Sequence, residues 1–172
     1  MMWGLPPIPP WDAVHPMIVH FPIAFLIIAP LFILLGLLRG PWGRAFSISA
    51  LVLLVLGAVS AAVVAEAGEA SAELVMRTEA INAVLNAHAE LAHTTIVLSS
   101  IFAVVYFILA GIRLILRDRL NSVVWIILSV VFLLGYSTVL LALANTGHDG
   151  GRLVHEFGVH VNLPTEPLPA VP

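Results

Sequence analysis

Cysteine and lysine are both missing from this chain of 172 residues, and charged residues of all kinds make up only 10 % of it. Without cysteine the chain has no disulfide, no thiolate metal site, no iron–sulfur cluster and no attachment site for covalently bound c-type haem. A soluble domain normally carries about 25 % charged residues. With 60 % hydrophobic residues as well, this scarcity of charge excludes a water-soluble globular domain and indicates a membrane protein.

Motifs for nucleotide binding and hydrolysis are also missing. The chain has no Walker sequence, no GxGxxG, no GxSxG and no HExxH. A net charge of −3 argues against binding to nucleic acid. The sequence leaves open whether the protein is an enzyme.

Four apolar runs are each long enough to cross the hydrocarbon core of a bilayer, which takes roughly 20 residues of helix. They cover residues 17–38, 45–65, 94–112 and 123–144. We therefore predict an all-α membrane protein, a bundle of four transmembrane helices that forms one domain over residues 1–163. A proline-rich, extended tail follows at residues 164–172.

Two connecting segments have a composition of their own. Residues 65–93, between the second and third runs, are rich in Ala, Glu and Leu, which predicts a helical connection on the outer side that can continue into the third span. Residues 147–160 contain a pair of glycines, which predicts a turn and then a short extended or hooked segment.

Arginine positions predict the orientation. Five of the seven arginines lie in the two short loops after the first and third runs, namely Arg39, Arg44, Arg113, Arg117 and Arg119. The positive-inside rule places these loops in the cytoplasm. Both termini are then expected on the outer side of the membrane.

All seven histidines lie at or beyond the predicted outer ends of the runs, and six of them form pairs five residues apart in HPMIVH, HAELAH and HEFGVH. Five residues of helix rotate a side chain by about 500°, so the two members of a pair point about 140° apart. The two histidines of one pair therefore cannot bind one metal ion together. Histidines from two different helices can share a ligand.

The candidate ligands follow from depth in the membrane. His20 and His93, the deeper histidines of the first and third runs, are the first candidate axial ligands for a haem b, because ionisable groups inside apolar runs are costly and usually functional. His15 and His88 form a second candidate pair, and Arg152 is a candidate partner for haem propionates. The alternative is a Zn, Cu or Fe ion held by His20, His93, His155 and Glu66.

Two motifs resemble a known family. HPMIVHFPIAF at the start of the first run and GGRLVHEFGVHV after the fourth are similar to the bacterial membrane family called domain of unknown function 2231. The resemblance covers the chain from about Val14 to Val161. It implies a four-span protein of the bacterial inner (cytoplasmic) membrane, and it implies little biochemistry.

These observations favour an integral membrane protein that binds b-type haem for electron transfer, as a subunit of a larger redox complex. The alternatives are a non-haem metal-binding membrane protein and a cofactor-free accessory or structural subunit of a membrane complex. A haem is preferred to a bare ion because it needs only two opposed ligands, whereas an ion needs three or four that converge. The expected partners are the lipid bilayer and other membrane or redox subunits.

Overall fold

A computed structural model describes residues 8–38, 40–116 and 121–159. Over these ranges the chain is helical and has no β-strand. A short 3-10 turn, Trp11–Ala13, precedes five α-helices. These are α1 (His15–Ile18), α2 (His20–Leu35), α3 (Gly40–Glu73), α4 (Glu79–Leu116) and α5 (Ser122–His155).

The first membrane segment consists of α1 and α2 together. Pro22 has no backbone N–H to donate to Ile18, so the helix is interrupted at Val19, between α1 and α2. Counted as one segment, His15–Leu35 joins α3, α4 and α5 as helices long and apolar enough to cross a membrane. The predicted fold class, an all-α bundle with four such helices, is confirmed.

The helices pack as an antiparallel bundle. Helix α3 packs against α2 and α4, α4 packs against α5, and α2 touches α5 more lightly. Helices α2 and α4 therefore stand diagonally across the bundle. We call one end the histidine end, which carries His15, His20, His88 and His93, and the opposite end the arginine end, which carries Arg44 and Arg113.

Helix α3 buries many small residues inside the bundle, and large apolar residues cover the outside of the bundle. Ala50, Ala58 and Ala61 of α3 are buried, whereas Leu134 of α5 is 70 % exposed. A bundle in lipid has this pattern, because small side chains allow helices to approach closely while apolar side chains face the acyl chains.

Helices α3 and α4 extend well beyond the apolar runs at the histidine end. Only residues 74–78 separate them, and α4 runs without a break from Glu79 through the third span. The predicted helical connection is therefore present, and it is built from the extensions of α3 and α4.

The prediction of a turn and an extended segment over residues 147–160 is wrong. Helix α5 continues through Gly150 and Gly151 as far as His155. Arg152 stabilises this last part, since its side chain reaches Asp149 at 3.5 Å and Glu156 at 3.1 Å along the same helix. The tail at residues 164–172 lies outside the described residues.

Arg113 joins three helices at the arginine end. Its guanidinium donates to the carbonyls of Gly36 and Leu38, just after the end of α2, and to the hydroxyl of Ser47 on α3 at 2.7 Å. The same group lies 4.5 Å from the centre of the Trp125 ring on α5. A cation is favourable here because the carbonyls at a helix C-terminus carry partial negative charge.

Candidate functional site

The histidines differ in their surroundings. His20, His93, His148 and His155 are exposed on the outside of the bundle, whereas His15 and His88 are half-buried. His20 and His93, the first candidate ligands, therefore do not face the interior of the bundle. Each lies five residues after a half-buried histidine on the same segment, so the roughly 140° rotation between them turns it outward.

His15 is held against α3. Its Nδ1 atom lies 2.9 Å from the carbonyl oxygen of Val64. The ring also packs on Gly68, where a Cβ atom would stand only 2.9 Å from Nδ1. In a helix the carbonyl of residue 64 points towards residue 68, so the ring can reach this oxygen only because residue 68 has no side chain.

His88 is held against α5 in the same way. Its Nδ1 atom lies 2.9 Å from the carbonyl oxygen of Thr146. The ring packs on Gly150, where a Cβ atom would stand 3.1 Å from the imidazole Cε1 atom. The hydroxyl of Thr146 also lies 3.1 Å from that of Thr95, which fixes α5 against α4 beside the histidine.

The two halves of the chain thus build the same arrangement twice. In each half, a histidine near the start of one membrane segment forms a hydrogen bond through Nδ1 to a backbone carbonyl of the next membrane segment. The histidine ring also packs on the glycine that lies four residues after that carbonyl in the sequence. His15 and His88 are close enough to interact electrostatically. Their two segments stand diagonally across the bundle.

The hydrogen bonds determine which nitrogen of each ring is available. A carbonyl oxygen can only accept, so Nδ1 of His15 and of His88 carries the proton. In the neutral ring Nε2 then has the free lone pair and can bind a metal. Histidines that bind metals commonly have their other nitrogen fixed in this manner.

The other predicted site residues are placed differently. Glu66 is exposed, as are His20, His93 and His155, and the described residues contain no group of three or more His, Asp or Glu that could hold a metal ion. The structure therefore does not assemble the four-residue metal set. Arg152 lies near the site through Asp149, which interacts electrostatically with His88 and pairs with Arg152 at 3.5 Å.

Sequence reasoning missed the supporting residues Val64, Gly68, Thr146 and Gly150. Their signal in the sequence is weak. Gly68 stands where the sequence otherwise favours helix, and a glycine inside a helix often marks a close approach by another group, whereas Gly150 lies in the segment for which the sequence predicted a turn.

Comparison with known proteins gives one match. A family model described as "Predicted membrane protein (DUF2231)" matches residues 11–163. No curated protein and no solved structure matches the chain. The matched range includes all four membrane segments and both half-buried histidines, and the chain belongs to the family of domain of unknown function 2231.

Proposed function

We propose that this protein binds one b-type haem between His15 and His88 and uses it for electron transfer in the membrane. The observation that supports this most directly is the matched pair of Nδ1–carbonyl bonds, each 2.9 Å, which leaves Nε2 of both rings available as ligand. Cofactor sites in helical bundles are commonly built from side chains on facing helices.

The number of ligands favours haem over a bare ion. Two opposed imidazoles complete the axial coordination of haem iron, whereas zinc or copper sites need three or four converging protein ligands. Among the described residues two histidines are half-buried, and Asp149 is the acidic residue that interacts electrostatically with His88. Asp149 is already paired with Arg152.

One further residue at the histidine end, Arg152, suits the propionate edge of such a cofactor. Arg152 lies at the end of α5, where its guanidinium can pair with a propionate in exchange for Glu156 or Asp149. His15 and His88 would hold the haem, and the bound haem would supply one-electron transfer. This chemistry fits electron transfer within a larger redox complex of the bacterial inner membrane.

The test is the visible spectrum of the full chain purified in detergent after growth with a haem precursor. We expect a reduced-minus-oxidised band of b-type haem, and its loss in His15→Ala and in His88→Ala. Unfolding curves of both variants show whether the bundle itself is intact. Added imidazole should restore part of the band in His15→Gly, because it can occupy the position of the deleted ring.

His20→Ala and His93→Ala are the matched controls. Each removes the same residue type from the same segment, five residues further on and exposed. Both should keep the spectrum. Loss of the band in these two variants, with retention of the band in His15→Ala and His88→Ala, would show that His20 and His93 are the ligands instead.

A colourless wild-type protein would overturn the proposal. Metal analysis of that protein then separates the two alternatives. Stoichiometric zinc, copper or iron indicates a non-haem metal protein, and the absence of metal indicates an accessory subunit.

A further inference from the structure

Three buried polar groups lie in the half of the bundle nearer the arginine end, away from the histidines. They are the hydroxyl of Tyr106, the indole N–H of Trp125 and the hydroxyl of Ser129, and none of them has a hydrogen-bond partner within the described chain. Their residues are 1 %, 5 % and 2 % exposed. We call this group the polar layer.

The members of the polar layer lie on two helices that pack against each other, α4 and α5. Ser129 follows Trp125 by one turn of α5, so both lie on the same buried face. The next residue of that face, Phe132, has its ring 5.1 Å from the ring of Tyr106 on α4. Tyr106 also comes near Ser47 and Arg113 without reaching hydrogen-bond geometry.

Ser129 is unusual among the hydroxyl residues of this protein. Eight other serines and threonines in the helices donate back to a carbonyl three or four residues earlier in their own helix, namely Ser47, Ser60, Thr94, Thr95, Ser99, Ser137, Thr138 and Thr146. Ser129 does not, although the same kind of carbonyl is within its reach. Its hydroxyl therefore has no protein acceptor among the described residues.

Leaving three such groups unsatisfied inside a membrane bundle is costly, because no solvent in the hydrocarbon region can replace the missing bonds. Buried groups without a protein partner are usually bonded to internal water. A water molecule fits this donor set, since it can accept from the Trp125 N–H and also donate to either hydroxyl.

We propose that the polar layer binds internal water, which bridges Tyr106, Trp125 and Ser129 within the membrane. The alternative occupant is a small anion, which would also accept from all three groups. Water is favoured because the nearby charge of Arg113 is already bonded to two carbonyls and to Ser47. A buried anion would need a cation that is free to pair with it.

The direct test is transfer of magnetisation from water to the indole N–H groups of the full chain labelled with ¹⁵N-tryptophan, with Trp125→Phe used for assignment. Trp42 is 70 % exposed and serves as the positive reference. We expect a transfer signal at Trp125 of similar size despite its burial. That signal should fall at least twofold in Tyr106→Phe and in Ser129→Ala. Absence of transfer in the wild type would overturn the proposal.

Thermal unfolding gives an independent test, because the unfolding midpoint of Tyr106→Phe should change in opposite directions for a hydrated and for a dry polar layer. If water bridges the layer, Tyr106→Phe removes a bonded hydroxyl and lowers the unfolding midpoint. If the layer is dry, the same change removes an unsatisfied hydroxyl and raises the midpoint, which would contradict the proposal. A midpoint that depends on chloride at constant ionic strength would identify an anion instead of water and would equally overturn it.

Discussion

The hydroxyl of Tyr136 on α5 donates a hydrogen bond of 3.0 Å to the carbonyl oxygen of Leu26 on α2. In a regular helix this carbonyl would accept from the N–H of residue 30, but residue 30 is proline and has none. Tyr136 is fully buried, so its hydroxyl supplies the bond that the proline removes. The pair also joins α2 to α5, which otherwise touch only lightly.

We expect Tyr136→Phe to lower the free energy of unfolding by about 1–3 kcal/mol, because it leaves the buried Leu26 carbonyl without a partner. Equilibrium unfolding of the full chain in mixed micelles measures this loss. The ring stacking of Tyr136 on Phe132, at 5.8 Å between centroids, is kept in the variant, so the change reports the hydroxyl alone.

A second substitution separates this explanation from a general loss of packing. In Pro30→Ala the backbone N–H of the new residue can bond to the Leu26 carbonyl. Tyr136→Phe should then cost less in that background, with a coupling of about 0.5–3 kcal/mol in the double-mutant cycle. Equal costs in both backgrounds would show that the proline and the tyrosine are independent.

The sequence predicted the number and positions of the membrane helices but not their ends. Hydropathy reports which residues can face lipid, so it located the apolar stretches of α3 and α5. It does not report where a helix stops. Helix α5 continues past its apolar run through Gly150 and Gly151 because Arg152 bridges Asp149 and Glu156, and because Gly150 lies under the His88 ring.

The histidine site shows a second kind of limit. Spacing by five residues means that the two members of a pair cannot both face inward, but it cannot say which one does. The choice of His15 over His20 depends on Val64 and Gly68, which lie about 50 residues away in the sequence on another helix. Such a contact appears only when the helices are packed together, so an argument from depth in the membrane could not show that His15 and His88 are the half-buried members.

Two glycines of α5 allow a matched test of the contact with His88. In Gly150→Ala the new methyl group would lie 3.1 Å from the ring, whereas at Gly147 nothing lies within 4 Å of such a group. We expect Gly147→Ala to stabilise the protein by about 0.5–1 kcal/mol, as alanine does in a helix. Gly150→Ala should lose that gain and displace the imidazole from the Thr146 carbonyl.

Nitrogen NMR of the histidine rings measures the displacement directly. In the wild type, Nδ1 of His88 should carry the proton, and Gly150→Ala should shift the ring towards a mixture of both tautomers. Gly68→Ala should have the same effect on His15, where the clash is with Nδ1 itself at 2.9 Å. An unchanged His88 tautomer in Gly150→Ala would mean that the glycine is not what admits the ring.

Arg113 is expected to be the most sensitive position at the arginine end. Arg113→Ala removes hydrogen bonds from a cation to the Gly36 and Leu38 carbonyls and the contact with Trp125, so we expect a loss of roughly 2–4 kcal/mol in unfolding free energy. The unfolding free energy of Arg113→Lys should lie between those of the wild type and Arg113→Ala, because an ammonium group cannot reach all these partners in one plane. Denaturant unfolding provides the measurement.

Arg44 is the control for that result. It lies in electrostatic range of Arg113 and carries the same charge, so it competes with Arg113 and does not support it. Arg44→Ala should therefore change stability by less than about 0.5 kcal/mol. A loss as large as that of Arg113→Ala would show that net positive charge, and not the specific bonds of Arg113, stabilises this end.

The orientation of the bundle is the last expectation, and it depends on the arginines. Five of them lie at the arginine end by sequence, so we expect that end in the cytoplasm and the histidine end outside. A reporter that is active only in the cytoplasm should be silent when fused after Pro172 or inserted at residues 74–78, and active when inserted within residues 117–120. Activity of the reporter fused after Pro172 would show the opposite orientation, with the His15–His88 pair on the cytoplasmic side. A redox partner would then have to be a cytoplasmic protein.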